Sequence, residues 1–176
     1  TELDATVPPG EWGEAAVVED GPWDLAPSPI PMLSEQWIVP TAQPDEMYVP
    51  AWETREFQFE FDRVYSGYVG LDVAAGDLCS IEVGVFETDR RVHAREHINT
   101  ASRFHYRGLR MQSVGGYRLT VQNQGASPVC LTRVGVVFTC YPVTEQGSFA
   151  CSDPELNRIY EVGKWTLQIC RQTLHL

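Results

Sequence analysis

Five consecutive residues, His93-Ala94-Arg95-Glu96-His97, match the H-x-x-E-H string of some zinc peptidases. That chemistry needs both histidines on one helical face, the glutamate beside a metal-bound water, and a third ligand from elsewhere. The surroundings do not supply it. The string follows the polar run Thr88-Asp89-Arg90-Arg91 and lacks the apolar periodicity of a buried helix, so a surface loop with no metal is expected. Carboxylate pairs for glycosidic acid/base work can be drawn from Glu60 and Asp62, Glu87 and Asp89, or Asp153 and Glu155. Solvation on a strand face explains the first pair, and a helix N-terminus explains the last. Glu87, ending an apolar run beside a long polar segment, is the one carboxylate kept as a candidate for touching a ligand.

Exposed ring faces can cover the apolar face of a sugar, and Trp37, Tyr48, Trp52, Tyr65 and Tyr68 are available for this. Trp52 and Tyr65 join Glu87 as substrate-binding candidates, with core packing the competing use of each ring. Ser66 lacks the flanking glycines of a nucleophile elbow, and the glycines form no phosphate loop. No catalytic residue, metal ligand or cofactor is assigned.

These residues sit in a chain of 176 with 13 basic and 24 acidic side chains, a formal charge of −11. Acidity of that size repels phosphates, and Lys164 is the single lysine among dispersed arginines. Nucleic acid and anionic membranes are therefore excluded as partners. No apolar run reaches the roughly 20 residues of a membrane span. Cys79, Cys130, Cys140, Cys151 and Cys170 form no C-x-x-C pair and mostly have apolar neighbours, which reads as buried thiols, with a structural disulfide as the alternative.

The elements that must position the candidates divide into three parts. Nine of the twelve prolines fall in residues 1–50, which forbids long helices there and predicts an extended arm with short edge pieces near 15–18 and 32–39. From Phe57 the pattern alternates strictly, Phe57, Phe59 and Phe61 against Gln58, Glu60 and Asp62. Further strands are predicted at 67–73, 78–86, 104–114, 117–122 and 129–141, separated by turns at 75–77, Gly115-Gly116 and 123–126. The fold class expected is mainly β, an antiparallel β-sandwich of jelly-roll or supersandwich type, followed by one long C-terminal α-helix. That helix starts at Ser152-Asp153-Pro154-Glu155, with Ser152 as cap and Glu155 closing a capping box. Leu156, Ile159, Gly163, Leu167, Cys170 and Leu174 then recur at helical steps for about five turns, with no stop signal before Leu176. The division expected is an arm over 1–50, a sandwich over 51–146, and a linker with the first helix of a second, truncated domain over 147–176.

Within the last part, Gly147-Ser148-Phe149-Ala150-Cys151-Ser152-Asp153-Pro154-Glu155-Leu156-Asn157-Arg158-Ile159-Tyr160 resembles the G-x-F-x-C-S-D-P-x-L-N-x-I segment of bacterial α-L-rhamnosidases. In that inverting glycoside hydrolase family the segment joins a β-sandwich to a helical catalytic barrel. Trp23-Asp24-Leu25 with Ile30-Pro31 looks like the leading arm of those enzymes, and Phe59-Glu60-Phe61-Asp62 through Gly67-Tyr68-Val69 to Glu87 looks like their sandwich strands. Gly116-Tyr117-Arg118 stands in place of a G-F-R-Y motif, with Leu119 where its second aromatic would be, and Asp62-Arg63-Val64-Tyr65 replaces a glycine-and-asparagine turn. The resemblance implies an (α/α)6 barrel beginning at the Ser152 helix, a catalytic acid and base beyond Leu176, and a rhamnosylated glycan as the carbohydrate partner of the parent enzyme. It implies no catalytic residue on this chain and a bacterial source, with a periplasmic or secreted location favoured over a cytoplasmic one. The sandwich would then support the downstream catalytic helical domain, with the loop 89–99 reaching toward the rim of its active site. The alternative from another class is a free-standing carbohydrate-binding module.

Overall fold

The computed structural model describes residues 2–4, 13–16 and 26–171. Nine strands and one helix run in the order β1 (Glu2–Asp4), β2 (Ser34–Ile38), β3 (Tyr48–Val49), β4 (Thr54–Ala74), β5 (Cys79–Phe86), β6 (Val92–Thr100), β7 (Phe104–Arg107), β8 (Gln112–Asn123), β9 (Val129–Cys140) and α1 (Pro154–Cys170). The strands form one hydrogen-bonded sheet in the order β1-β6-β5-β8-β4-β9-β2, with β3 also on β9 and β7 also on β4. All pairings between these strands are antiparallel except β1 with β6.

Strand β4 makes the sheet into a sandwich. Residues 54–60 pair with β8, whereas residues 67–74 pair with β9 and 70–73 also with β7. Between Glu60 and Tyr65 the register slips: five steps along β4 oppose two along β8, from Gly116 to Val114. An irregularity of this kind bends and twists a strand, letting it pass from one layer to the other. The Tyr117 ring on β8 spans the layers, its hydroxyl donating to the Gly135 carbonyl of β9 at 3.2 Å and weakly toward Gly70 of β4 at 3.4 Å. Around it the inward side chains Phe59, Leu71, Ile81, Val83, Leu119 and Val136 are fully buried. The alternation that predicts the strands is therefore the alternation that fills the core.

Several boundaries differ from the sequence expectation. The segments from Phe57 and from Gly67 are one bulged strand, not two. Gly115-Gly116, expected as a turn, lies inside β8, where the Phe86 ring and the Phe59 carbonyl crowd the space a Cβ on Gly116 would fill, each at 2.5 Å. Close packing, not chain reversal, requires that glycine. The 104–114 segment divides into β7 and the start of β8. The helix is capped by Asp153, whose Oδ1 accepts from the Glu155 amide at 2.8 Å, not by Ser152. All five cysteines are free; Cys79 and Cys140 are buried as expected, but Cys151 and Cys170 are exposed. The edge piece near 32–39 is β2, while the one near 15–18 falls partly outside the described residues.

Candidate functional site

The H-x-x-E-H string is not a loop. It lies on β6, and strand alternation sends His93, Arg95 and His97 to the outer face while Glu96 turns inward and is only 3% exposed. A strand cannot bring both histidines and the glutamate to one metal, because the glutamate is on the opposite face. The outer face is instead a charged ladder in which Glu82 of β5 lies 3.6 Å from Arg95 and 3.7 Å from His97. The notion of a long 89–99 loop is corrected with it, since only a short turn separates β5 from β6.

The remaining candidates fall in three separate places. Tyr65 is 8% exposed, and its hydroxyl donates to Asp62 Oδ1 at 2.7 Å, so its ring is packing and offers no face to a sugar. Burial, together with the Asp62 bond, pushes its hydroxyl pKa up to about 12. Burial acts to raise the Asp62 carboxyl too, but the Tyr65 and Arg63 hydrogen bonds outweigh it and hold that carboxyl below its ordinary value. Trp52, by contrast, is 71% exposed in the turn before β4. Its φ of 62° is one that a bulky residue rarely adopts. Its amide donates to the Gly125 carbonyl at 3.2 Å, and the next amide, that of Glu53, to Pro50 at 3.4 Å. Glu87 follows β5, exposed, beside the opening of β6.

The feature that sequence reasoning placed least well is the seat of α1. Trp165 reaches the irregular part of β4, where its Nε1 donates to the Val64 carbonyl at 3.0 Å. Its ring stands edge-on to Tyr65 at 5.3 Å and lies against Phe138 of β9 at 5.4 Å, with the Arg63 guanidinium over it at 4.7 Å. Ile169, one turn on, also packs against the core. Below the helix, Asn157 clasps the linker, accepting from the Cys151 amide at 2.9 Å and donating to the Cys151 carbonyl at 2.8 Å. The other side is bare: Leu156, Ile159 and Leu167 are 48%, 60% and 73% exposed. Beside it a groove of about 580 Å³ runs between α1 and the linker, lined by Val143, Tyr160, Lys164, Leu167 and Gln168 among others. The helical steps in the sequence foretold this stripe, whereas Trp165 lies off it and gave no signal.

No protein-family model and no curated protein matches the sequence. Among solved structures, the GH78 family rhamnosidase of Bacillus sp. GL1 superposes with a TM-score of 0.62 at 25% identity, over 73% of this chain and 15% of that one. A rhamnosidase from Klebsiella oxytoca with rhamnose bound superposes with a TM-score of 0.62 at 16% identity, over 81% of this chain and 36% of that one, a likeness of fold. The chain thus spans 15% and 36% of these two proteins. In motif and in fold it is similar to one part of a GH78 family rhamnosidase.

Proposed function

We propose that this chain is the non-catalytic β-sandwich portion of an α-L-rhamnosidase-like glycoside hydrolase that removes terminal α-L-rhamnose from glycans or glycosides. In this reading residues 1–50 are the arm, 51–146 the sandwich, and 147–176 the passage into a catalytic helical barrel whose acid and base lie beyond Leu176. The observation that carries it is the bare face of α1. Three large apolar side chains at helical spacing stand in water on a helix whose other side is already seated on the sandwich. Such a stripe is a partner surface, and further helices of a barrel would cover it. The sandwich would hold the first barrel helix in place and do no chemistry itself.

The test is made on the native polypeptide with an aryl α-L-rhamnoside. Release of the aryl group is expected, and Ile159→Asp with Leu167→Asp is expected to abolish it, while the far-ultraviolet β signature stays. A native protein that does not release the group, or in which both charges on this face leave hydrolysis unchanged, overturns the reading. The second reading, a free-standing carbohydrate-binding module, is favoured by Trp52, whose exposed ring could stack on a sugar. A glycan affinity lost in Trp52→Ala, in a native protein without hydrolytic activity, would establish it.

A further inference from the structure

We propose that a second α-helix of the native polypeptide crosses α1 at Gly163, backbone against backbone. The crossing point is argued from this chain alone; the source of the second helix rests on the rhamnosidase reading. Gly163 sits inside α1, one turn after Ile159 and one turn before Leu167. It is thus the middle of the bare stripe that Leu156, Ile159 and Leu167 form. Trp165, two residues on, points to the other side of the helix, toward β4. A glycine inside a helix leaves it about fivefold less populated than an alanine would. Something must offset that loss.

Nothing among the described residues requires the glycine. No described glycine has a positive φ, so the backbone at 163 suits any side chain. A Cβ on Gly163 would meet no atom within 4 Å. Gly116 and Gly135 differ, since a Cβ on either would strike neighbours at 2.5 Å. Gly147 also stands in open space, but in the linker, where a glycine weakens no helix.

The remaining physical reason is a backbone that comes close from outside. Helix axes pack about 8–10 Å apart according to the side chains at the contact, and a glycine at the crossing brings them to about 8 Å. Ile159 and Leu167 then flank the partner as ridges flank a groove. Leu167 and Tyr160 also line the groove of about 580 Å³ whose far wall is the linker, so the covered surface continues into it. The charges bordering that groove are answered within the chain. Lys164 is held by Glu161 at 2.9 Å and by Glu145 at 3.4 Å, and the Arg171 guanidinium lies 5.3 Å from the centre of the Tyr141 ring. The surface therefore asks for an apolar partner. A helix is the element that presents apolar side chains while its own backbone groups stay paired. Most of each solved rhamnosidase lies outside the part that this chain matches, and the crossing helix is assigned to the corresponding remainder of the native polypeptide.

The test compares tryptic cleavage at Arg158 and Lys164 in the 176-residue chain and in the native polypeptide, each carrying Gly163→Ala or Gly163→Leu. In the 176-residue chain the space is open, and both substitutions are expected to slow cleavage, Gly163→Ala about fivefold, because the helix gains propensity. In the native polypeptide the added atoms meet the crossing backbone. Overpacking of about thirtyfold then exceeds the fivefold gain, so cleavage is expected to quicken about sixfold with Gly163→Ala and further with Gly163→Leu. The alanine adds one methyl group, so the sign is read even where the leucine variant does not fold. Slower cleavage in both proteins overturns the crossing. A 176-residue chain that is a dimer by light scattering, and a monomer as Gly163→Leu, assigns the glycine to a second copy and overturns the proposal as well. Opposite signs in a native polypeptide that does not cleave an aryl rhamnoside keep the crossing and refute the enzyme reading. Like signs in a native polypeptide that does cleave it refute the crossing and leave the enzyme reading standing.

Discussion

Trp165→Ala is the substitution that most directly separates helix from sandwich. Removing a fully buried tryptophan costs about 3–5 kcal/mol. Trp165 is half-buried, which brings the packing loss to about 1.5–2.5 kcal/mol, and its Nε1 bond to Val64 adds about 1 kcal/mol. Docking of α1 should therefore weaken by about 2.5–3.5 kcal/mol, a rise of about 60- to 300-fold in the undocked fraction. Arg158 and Lys164 lie within α1, so trypsin reads that fraction directly when opening and closing are fast compared with cleavage. Cleavage at these two sites should accelerate by the same factor, and Trp165→Phe, which keeps a ring but loses the bond, by about fivefold. The urea midpoint of the sheet should move much less, because its core closes without the helix. Tyr65, no longer covered by the indole, should titrate below about 12 in Trp165→Ala, since burial is the main cause of its rise. Unchanged cleavage within α1, or a sheet midpoint that falls in step with it, would refute the idea of a separately docked helix.

Three further outcomes follow from the same geometry. A carboxyl whose folded pKa exceeds its unfolded value of about 4.5 holds its proton more tightly in the folded state; the stability this gives is complete below that unfolded value and is lost as pH rises through the folded pKa. The wild-type urea midpoint should thus fall, relative to Glu96→Gln, between that range and neutrality, and parallel pH profiles for the two proteins would contradict the burial assigned to Glu96. Gly135→Ala places a Cβ 2.6 Å from Trp37 Cε2 and 2.5 Å from the Ile38 carbonyl, which should push β2 off β9 and cost about 1–3 kcal/mol. An unshifted Trp37 emission and an unchanged midpoint would show that β2 has room to give. Tyr117→Phe removes the hydroxyl that joins the two layers at Gly135, and a midpoint loss of about 1 kcal/mol is expected by urea titration, with no loss counting against the interlayer bond.

The strands were legible because their alternation is a direct image of a two-faced layer. Phe57, Phe59 and Phe61 point inward, as do Val69, Leu71 and Val73, and both runs could be read from residue types alone. Their union into β4 could not. Asp62, Arg63 and Val64 interrupt the pattern, and an interruption looks the same whether the chain turns back or bulges onward. The H-x-x-E-H string misled for a related reason. Val92, Ala94 and Ile98 alternate with His93, Arg95 and His97, and the sole exception, Glu96, was enough to hide the strand. Tyr65 and Trp52 show how far ring chemistry goes without position, because one lies within β4 and is buried while the other, just before β4, stands 71% exposed. The helix was readable from its cap region and spacing, but Trp165, which fixes its orientation, belongs to neither signal.

One irregularity in β4 accounts for both the sandwich and the place of the helix. Pairing with β8 stops at Glu60 and resumes at Tyr65, so the backbone between them is released from that ladder while the strand changes layers. Released carbonyls need partners, and Val64 finds one in the Trp165 indole. Tyr65, the first residue to rejoin the ladder, is in turn sealed by the same ring and tied back to Asp62. The layer crossing is thus completed by a residue about 100 positions later in the chain, as the Trp165–Val64 bond spans 101 residues. A regular β4 would need no such donor and would offer α1 no seat. The direction in which α1 presents Leu156, Ile159 and Leu167 is therefore set by a defect in a strand, and whatever covers those side chains is oriented through that defect relative to the sandwich.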